Sequence, residues 1–307
     1  MDIMLVFNQM LVLLILLIVG VIAAKAGVMD EDTTKRFTRF TLLIPQTCMI
    51  LNSVLGAELD ISAGRVLTVL GVGVVMYAIL TAVSFLVPVL YRCKPGDKGI
   101  YSFMTIFGNT GFMGIPVVGA IFGGAASFYA ALLNIPFNLL AYTLGIALLN
   151  SSGKKTKIQW KLLINPPMVA SFLAVILVCV RVTLPTPLTR SIAYLGDMVV
   201  PCSMIIIGAS LGQQKLRDVF GDWHVYAFAP VRLFAMPLLL WSIMHLFVKD
   251  PTLIGVIAVL GAMPVASFAT MLSIQYGGNV QMASKTVFVT TVLSVLTIPI
   301  VCAILPL

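Results

Sequence analysis

Two stretches rich in glycine and proline lie inside long apolar runs, and their residues are the best suited in the chain to bind a ligand. They are Phe107–Pro116 and Gly261–Ser273. Glycine weakens a helix, and proline removes a backbone donor and clashes with the preceding turn. We therefore predict helix breaks near Asn109 and near Pro264. The residues expected to cause the breaks are Gly108, Pro116 and Met263.

If these runs cross a membrane, the freed backbone groups must face protein or a wet cavity, because unpaired groups are costly in hydrocarbon. Two broken helices that cross would aim two half-helix N-termini, each with partial positive charge, at a common point that prefers an anion. The same glycine spacing is also typical of helices that simply pack closely. The candidate binding residues are Asn109, Thr110, Gly111, Asn134, Asn138, Pro264, Val265, Ala266 and Ser267.

Asp197 and Arg232 carry charge inside predicted spans, and a charge in a membrane is a functional candidate by default. For Asp197 we consider proton or sodium coupling, a structural pair with Arg232, or a position in a watery outer vestibule. For Arg232 we consider a counter-charge to an anionic substrate, or the same structural pair. The sequence leaves these alternatives open.

Catalytic chemistry has no candidate residues in this chain. The predicted spans contain no nucleophile coupled to a base, no second carboxylate and no metal-ligand spacing, so we do not expect an enzyme. We also expect no metal and no cofactor. The five cysteines are scattered, and no CxxC motif or disulfide framework is present.

The composition is that of a membrane protein. The 307 residues are 60% hydrophobic and 10% charged, whereas a soluble domain has about 45–50% and about 25%. A membrane helix needs about 20 apolar residues, and ten such segments can be identified. They are Met4–Ala24, Phe37–Leu55, Val66–Leu90, Ile100–Phe122, Ala125–Leu149, Leu162–Leu184, Ser191–Leu211, Val225–Val248, Leu253–Gln275 and Thr286–Ile304. We predict an all-α membrane protein with ten transmembrane helices, of which helices four and nine are broken and cross.

The distribution of Lys and Arg predicts the orientation. Odd-numbered connections hold fourteen of these residues and even-numbered connections hold three. Positive residues favour the cytoplasm, so the odd-numbered loops are expected inside and both termini outside, in a plasma or inner membrane. The same bias accounts for the net charge of +8, and we do not expect a nucleic-acid partner.

An internal repeat is predicted at an offset of 156 residues. This offset aligns IPQTCMILNSVLG, from Ile44, with VPCSMIIIGASLG, from Val200, with four identities in thirteen positions. Residues 1–150 would form the first five-helix repeat and residues 151–307 the second. Five helices are an odd number, so the second repeat must enter the membrane from the opposite side. Such a 5+5 inverted repeat is a recurring design of secondary transporters.

Four motifs resemble the auxin efflux carrier family of membrane transporters, and the resemblance spans essentially the whole chain. The motifs are NTGFMGIP (Asn109–Pro116), NPP (Asn165–Pro167), DMVVPCSMIIIGASLG (Asp197–Gly212) and PVASFATMLSIQYGGN (Pro264–Asn279). The resemblance implies a scaffold of helices 1, 2, 6 and 7 and a moving transport domain of helices 3–5 and 8–10. It also implies carboxylate substrates such as malate, malonate or auxin-like acids.

In related folds the substrate lies beside the crossing of helices four and nine, which here maps to Asn109–Gly111 and Met263–Ser267. Sodium-coupled relatives place a carboxylate at the second of these stretches, where this sequence has Met263, Pro264 and Val265. Coupling to protons, coupling to sodium and uncoupled transport therefore all stay open.

We thus expect a secondary transporter of small organic anions that works by alternating access of the elevator type. The alternative is a ligand-sensing membrane receptor or an anion channel on the same fold. The expected partners are a small carboxylate and the lipid bilayer, and a homodimer is one option for the assembly.

Overall fold

A computed structural model describes residues 3–55, 62–150, 166–180, 184–213, 223–276 and 278–305, and these residues are mostly helical. The central connection, predicted at Asn150–Lys161, lies outside the described residues from position 151 onward. The helices of the first half are α1 (Ile3–Lys25), α2 (Glu31–Leu43), α3 (Pro45–Leu55), α4 (Ala63–Ser84), α5 (Val87–Leu90), α6 (Lys98–Ile106), α7 (Ile115–Phe122), α8 (Gly124–Leu140) and α9 (Ile146–Leu149). Those of the second half are α10 (Pro166–Val180), α11 (Thr186–Asp197), α12 (Val199–Gly212), α13 (Trp223–Pro230), α14 (Met236–Met244), α15 (Pro251–Gly261), α16 (Phe268–Tyr276) and α17 (Val280–Ile304).

Five helical stretches among the described residues, some of them with a local interruption, are long and apolar enough to cross a bilayer. They have 22 to 27 residues and mean hydropathies from 1.6 to 2.5. At about 1.5 Å per residue, each exceeds the roughly 30 Å of a hydrocarbon core. The stretches are Gly64–Leu90, Gly124–Leu149, Thr186–Gly212, Trp223–Met244 and Val280–Ile304. The chain is therefore a multi-pass membrane protein.

Two predicted segments contain interruptions that the sequence analysis did not identify. The second segment begins earlier, at Glu31, and breaks at Ile44, just before Pro45. The seventh breaks at Met198, between α11 and α12. Proline explains both breaks, because Pro45 and Pro201 cannot donate to the carbonyl four residues back and their rings crowd it.

Helices of the first, second, sixth and seventh segments pack on one another. Helix α1 lies along α12, and α3 lies against α10 and α11. The contact between α1 and α12 requires glycine, because a methyl group at Gly20 would collide with the Ile205 carbonyl oxygen and one at Gly208 with the Leu17 carbonyl oxygen. These two backbones therefore touch directly.

Buried aromatic rings fix the end of α6 in the remaining part of the bundle. The ring centroids of Phe103 and Phe107 are 4.7 Å apart, and those of Phe107 and Phe137 are 5.5 Å apart. Tyr77 on α4 meets Phe137 edge-on at 5.9 Å. Such ring pairs stabilise the fold beyond the burial of their apolar surface. They therefore fix the position of the backbone where α6 ends.

Candidate functional site

The fourth segment is broken at the predicted place. Helix α6 ends at Ile106, and Phe107 has extended backbone angles of φ −99° and ψ 97°. The helix resumes with a wide π-helical turn, Thr110–Gly114, that continues into α7. Pro116 was predicted to help cause the break, but it is the second residue of α7, six positions beyond Thr110, and lies within the resumed helix.

The ninth segment is broken as well, again as predicted. Helix α15 ends at Gly261, and α16 begins at Phe268. The intervening residues include Met263 and Pro264, which are buried. A non-helical stretch at this depth is tolerated only if other groups pair with its backbone.

The two broken stretches pair with each other, and we call Phe107–Gly111 together with Met263–Ser267 the crossing. Gly108 and Val265 form an antiparallel bridge at its centre. The Asn109 N–H donates to the Pro264 carbonyl oxygen at 2.7 Å, and the Ala266 N–H donates to the Phe107 carbonyl oxygen at 3.0 Å. Backbone groups lost from one helix are thus satisfied by the other.

Side chains around the crossing supply further hydrogen-bonding groups. Thr110 Oγ1 donates to Asn134 Oδ1 at 2.8 Å, and both side chains are buried. Asn109 Nδ2 lies 3.5 Å from Ser267 Oγ. Asn138 lies one turn further along α8, where its Nδ2 donates to the Asn134 carbonyl oxygen at 3.0 Å. The structure therefore brings all the predicted binding residues to the crossing except Asn138, whose amide is used by its own helix.

The crossing is buried at its centre and reaches the protein surface at one side. Asn109 and Thr110 are 4% and 2% exposed, and Pro264, Val265 and Ala266 are buried. Gly111 is half-buried and Ser267 is exposed. A ligand that approaches past Ser267 would meet the Asn109 amide first.

Arg232 extends a buried positive charge to the crossing. It is 1% exposed and lies in a π-helical turn, Val231–Ala235, between α13 and α14. Its Nη1 donates to the Thr105 carbonyl oxygen at 3.2 Å, and its Nη2 lies against Gly108. The Nε has no hydrogen-bond partner in the described part of the chain.

Asp197 is exposed at the end of α11 and does not pair with Arg232. Ion pairs of the described residues include Lys35–Glu31 and Arg65–Asp250, and none joins Asp197 to Arg232. The structural pair that the sequence left open for Asp197 and Arg232 is therefore wrong. Within the described ranges, no three His, Cys, Asp or Glu side chains come together as a metal site.

The sequence analysis missed two buried polar residues at the crossing. Thr290 on α17 accepts a hydrogen bond through its Oγ1 from the Val265 N–H at 3.2 Å. Gln46 on α3 is 3% exposed, and its Nε2 lies 3.2 Å from where a Cβ on Gly111 would be. Both are polar residues within apolar segments, which was the available signal. Gln46 Oε1 has no hydrogen-bond partner among the described residues.

Comparison with known proteins gives matches along nearly the whole chain. The profile of the family described as Membrane transport protein matches residues 5–302. An "Uncharacterized transporter" of Methanothermobacter thermautotrophicus is 27% identical over 299 residues, which cover 95% of this chain and 96% of the relative. A second "Uncharacterized transporter", from Methanocaldococcus jannaschii, is 25% identical over 301 residues, with the same two shares covered. A "Putative malonate transporter" of Rhizobium meliloti is 26% identical over 245 residues, which cover 77% of this chain and 75% of the relative.

Proposed function

Because this chain belongs to the Membrane transport protein family, which is the auxin efflux carrier family, we propose that it is a secondary transporter of small organic anions. The family and the relatives are transporters rather than enzymes. The substrate class and the mechanism are our inference from the site. The proposed substrates are carboxylates such as malate, malonate or auxin-like acids.

The observation that carries this proposal is the buried guanidinium of Arg232 beside two half-helix N-termini. The carbonyl ends of α6 and α15, which also stop at the crossing, carry the opposite partial charge, so the full positive charge at the crossing comes from Arg232. Two half-helices, one from Thr110 into α7 and the other α16 from Phe268, begin at the crossing, and helix N-termini carry partial positive charge. Arg232 adds a full charge, and it is in no ion pair with a described carboxylate. Asn109 and Ser267 contribute hydrogen-bond donors at the accessible side. An anion with several acceptor oxygens satisfies all these groups together.

The name of the Rhizobium meliloti relative makes malonate the first compound to test. Malonate is small, and its two carboxylates could engage Asn109 and the half-helix termini at the same time. We regard it as a representative of its class, because donors that bind one carboxylate bind many.

We further propose that transport is of the elevator type. The scaffold would contain α1, α2, α3, α10, α11 and α12, and the transport domain the other helices. The close contact of α1 with α12 supports a rigid scaffold, since a methyl group at either Gly20 or Gly208 would collide with the facing backbone. The offset of 156 residues supports two related halves, because it places Gly108 on Pro264 and the start of α8 on the start of α17.

Flux measurements in proteoliposomes test the proposed function. We expect uptake of radiolabelled malonate to saturate and to accelerate when unlabelled malonate is trapped inside. Asn109→Ala should abolish this uptake, whereas Asn8→Ala, at an exposed position of α1, should not affect it. An ohmic, non-saturating current would instead identify a channel. Binding without flux would identify a receptor.

A further inference from the structure

The break in the fourth segment leaves one specific carbonyl group without its helical donor. In an uninterrupted helix the Thr105 carbonyl oxygen would accept from the N–H of Asn109, four residues on. Here the Asn109 N–H donates instead to the Pro264 carbonyl oxygen at 2.7 Å. Arg232 Nη1 takes the vacated place, because it donates to the Thr105 oxygen at 3.2 Å.

Arg232 therefore caps the carbonyl end of α6. The carbonyl end of a helix carries partial negative charge, and a cation is favourable there. Because Gly108 has no side chain, the guanidinium can lie directly against the backbone of the crossing. The cation is thus held at a fixed place by the broken helix itself.

The charge of Arg232 is not neutralised by a carboxylate of the described residues. The Lys35–Glu31 and Arg65–Asp250 ion pairs lie elsewhere, and the Arg232 Nε lacks a hydrogen-bond partner among the described residues. A charge that is 1% exposed is costly unless something compensates it. The carbonyl end of α6 compensates part of it, and an anion at the crossing would compensate the rest.

Only one half of the molecule carries this cation. At the offset of 156 residues, Arg232 corresponds to Met76 on α4, which is 1% exposed. The related position of the first half is thus occupied by a buried apolar side chain. The crossing consequently contains one fixed charge contributed by Arg232.

We propose that Arg232 is a resident cation that positions the crossing and supplies the positive charge that a coupling ion would otherwise bring. This inference rests on the proposed function for its substrate. It goes further because it assigns the positive charge needed for anion binding to one guanidinium group. Since the protein supplies this charge itself, anion transport requires no added sodium. Arg232 is thus a positioning residue that also sets the preference for anions.

The test compares the wild-type protein with Arg232→Lys, Arg232→Met and the exposed control Arg190→Met. Initial malonate uptake is measured in proteoliposomes at fixed pH and fixed membrane potential, with sodium present or replaced by choline. We expect the wild type and Arg190→Met to transport equally in both media. Arg232→Met should lose uptake by about thirtyfold or more, the lower limit for removing one member of a buried charged pair. Arg232→Lys, which keeps the charge, should retain a substantial part of the uptake.

Wild-type uptake that requires sodium, or uptake by Arg232→Met at the wild-type rate, would overturn the inference. If neither the wild type nor any variant transports malonate, this outcome counts against the proposed function alone. Thermal unfolding without substrate then tests the role of Arg232. The wild-type midpoint should be the same in sodium and choline, and Arg232→Met should unfold at a lower temperature than Arg232→Lys. Equal midpoints for these two variants would contradict a resident cation even if Arg232→Met transports nothing.

Discussion

The guanidinium group of Arg232 occupies the space that a side chain at Gly108 would need. Gly108 also pairs with Val265, the residue that follows Pro264 in the other broken helix. Gly108 thus contacts both the opposite stretch of the crossing, Met263–Ser267, and the buried guanidinium group of Arg232. A change at Gly108 should disturb both contacts at once.

Gly108→Ala is expected to destabilise the protein and abolish malonate uptake. The added methyl group would collide with Arg232 Nη2 and would lie 3.3 Å from the Met263 carbonyl oxygen. Overpacking of this kind costs about 1–3 kcal/mol. Thermal unfolding of the purified protein and proteoliposome flux measure the two effects.

Gly71→Ala is the matched control, because no atom lies within 4 Å of a Cβ added there. It should leave uptake unchanged and the free energy of unfolding equal or slightly increased, since alanine favours a helix over glycine. Equal behaviour of the two variants would show that the space at Gly108 is not required.

Thr110→Val should weaken malonate binding without unfolding the protein. The change removes the donor to Asn134 Oδ1 and leaves that buried oxygen unpaired, which costs about 1–3 kcal/mol. Substrate-induced thermal shifts at increasing malonate concentrations would give the change in affinity. Thr143→Val is the control, because the Thr143 hydroxyl donates only within its own helical turn, to the Leu139 carbonyl oxygen. Identical thermal shifts for the two variants would show that the Thr110 hydroxyl does not contribute to malonate binding.

Gly208→Ala should separate α1 from α12. A methyl group there would collide with the Leu17 carbonyl oxygen, and Gly20 lies beside it. We expect a loss of about 1–3 kcal/mol in the free energy of unfolding, measured by denaturant titration in detergent. Gly64→Ala, where the nearest atom outside the helix backbone is 3.8 Å away, should cause no such loss. A stable Gly208→Ala protein would contradict a tight scaffold.

The Arg65–Asp250 ion pair joins the start of α4 to the start of α15, and it should contribute modestly to stability. Arg65 also donates to Tyr129 Oη at 3.2 Å, while Asp250 Oδ1 accepts from the Leu253 N–H. Arg65→Gln and Asp250→Asn should show a coupling energy of about 0.2–1 kcal/mol in a double-mutant cycle, since both groups are partly exposed. Asparagine keeps the helix cap, so this cycle isolates the ion pair. The coupling should shrink at high salt, and its absence at low salt would contradict the prediction.

Asp197→Asn should transport malonate at the wild-type rate with and without a pH gradient. Asp197 is exposed and is not paired with Arg232, so its charge is not needed at the crossing. A loss of the response to the pH gradient in this variant alone would instead establish Asp197 as the proton site.

The sequence was sufficient to locate both breaks of the crossing. Gly108 and Pro264 disturb helices through local backbone chemistry, and local effects are visible in a single sequence. The breaks at Ile44 and Met198 arise from the same chemistry at Pro45 and Pro201. They were not predicted, because the surrounding apolar residues indicate an uninterrupted membrane helix. The number of crossings and the repeat stay predictions.

The partners of the crossing could not be deduced, because they come from distant parts of the chain. Gln46 precedes Gly111 by 65 positions, and Thr290 follows Val265 by 25 positions. A charge inside an apolar segment marks Arg232 as a candidate, but its distance from Asp197 depends on helix packing. A single sequence shows that both charges lie inside predicted spans, but it does not tell which way each side chain faces.

The bridge between Gly108 and Val265 is built from main-chain hydrogen bonds, so it does not involve the side chains of Asn109 and Ser267. Substitutions at Asn109 or Ser267 can therefore alter which molecules bind while the backbone of the crossing keeps its conformation. Homologues could then differ in substrate through single side-chain changes without any change of fold.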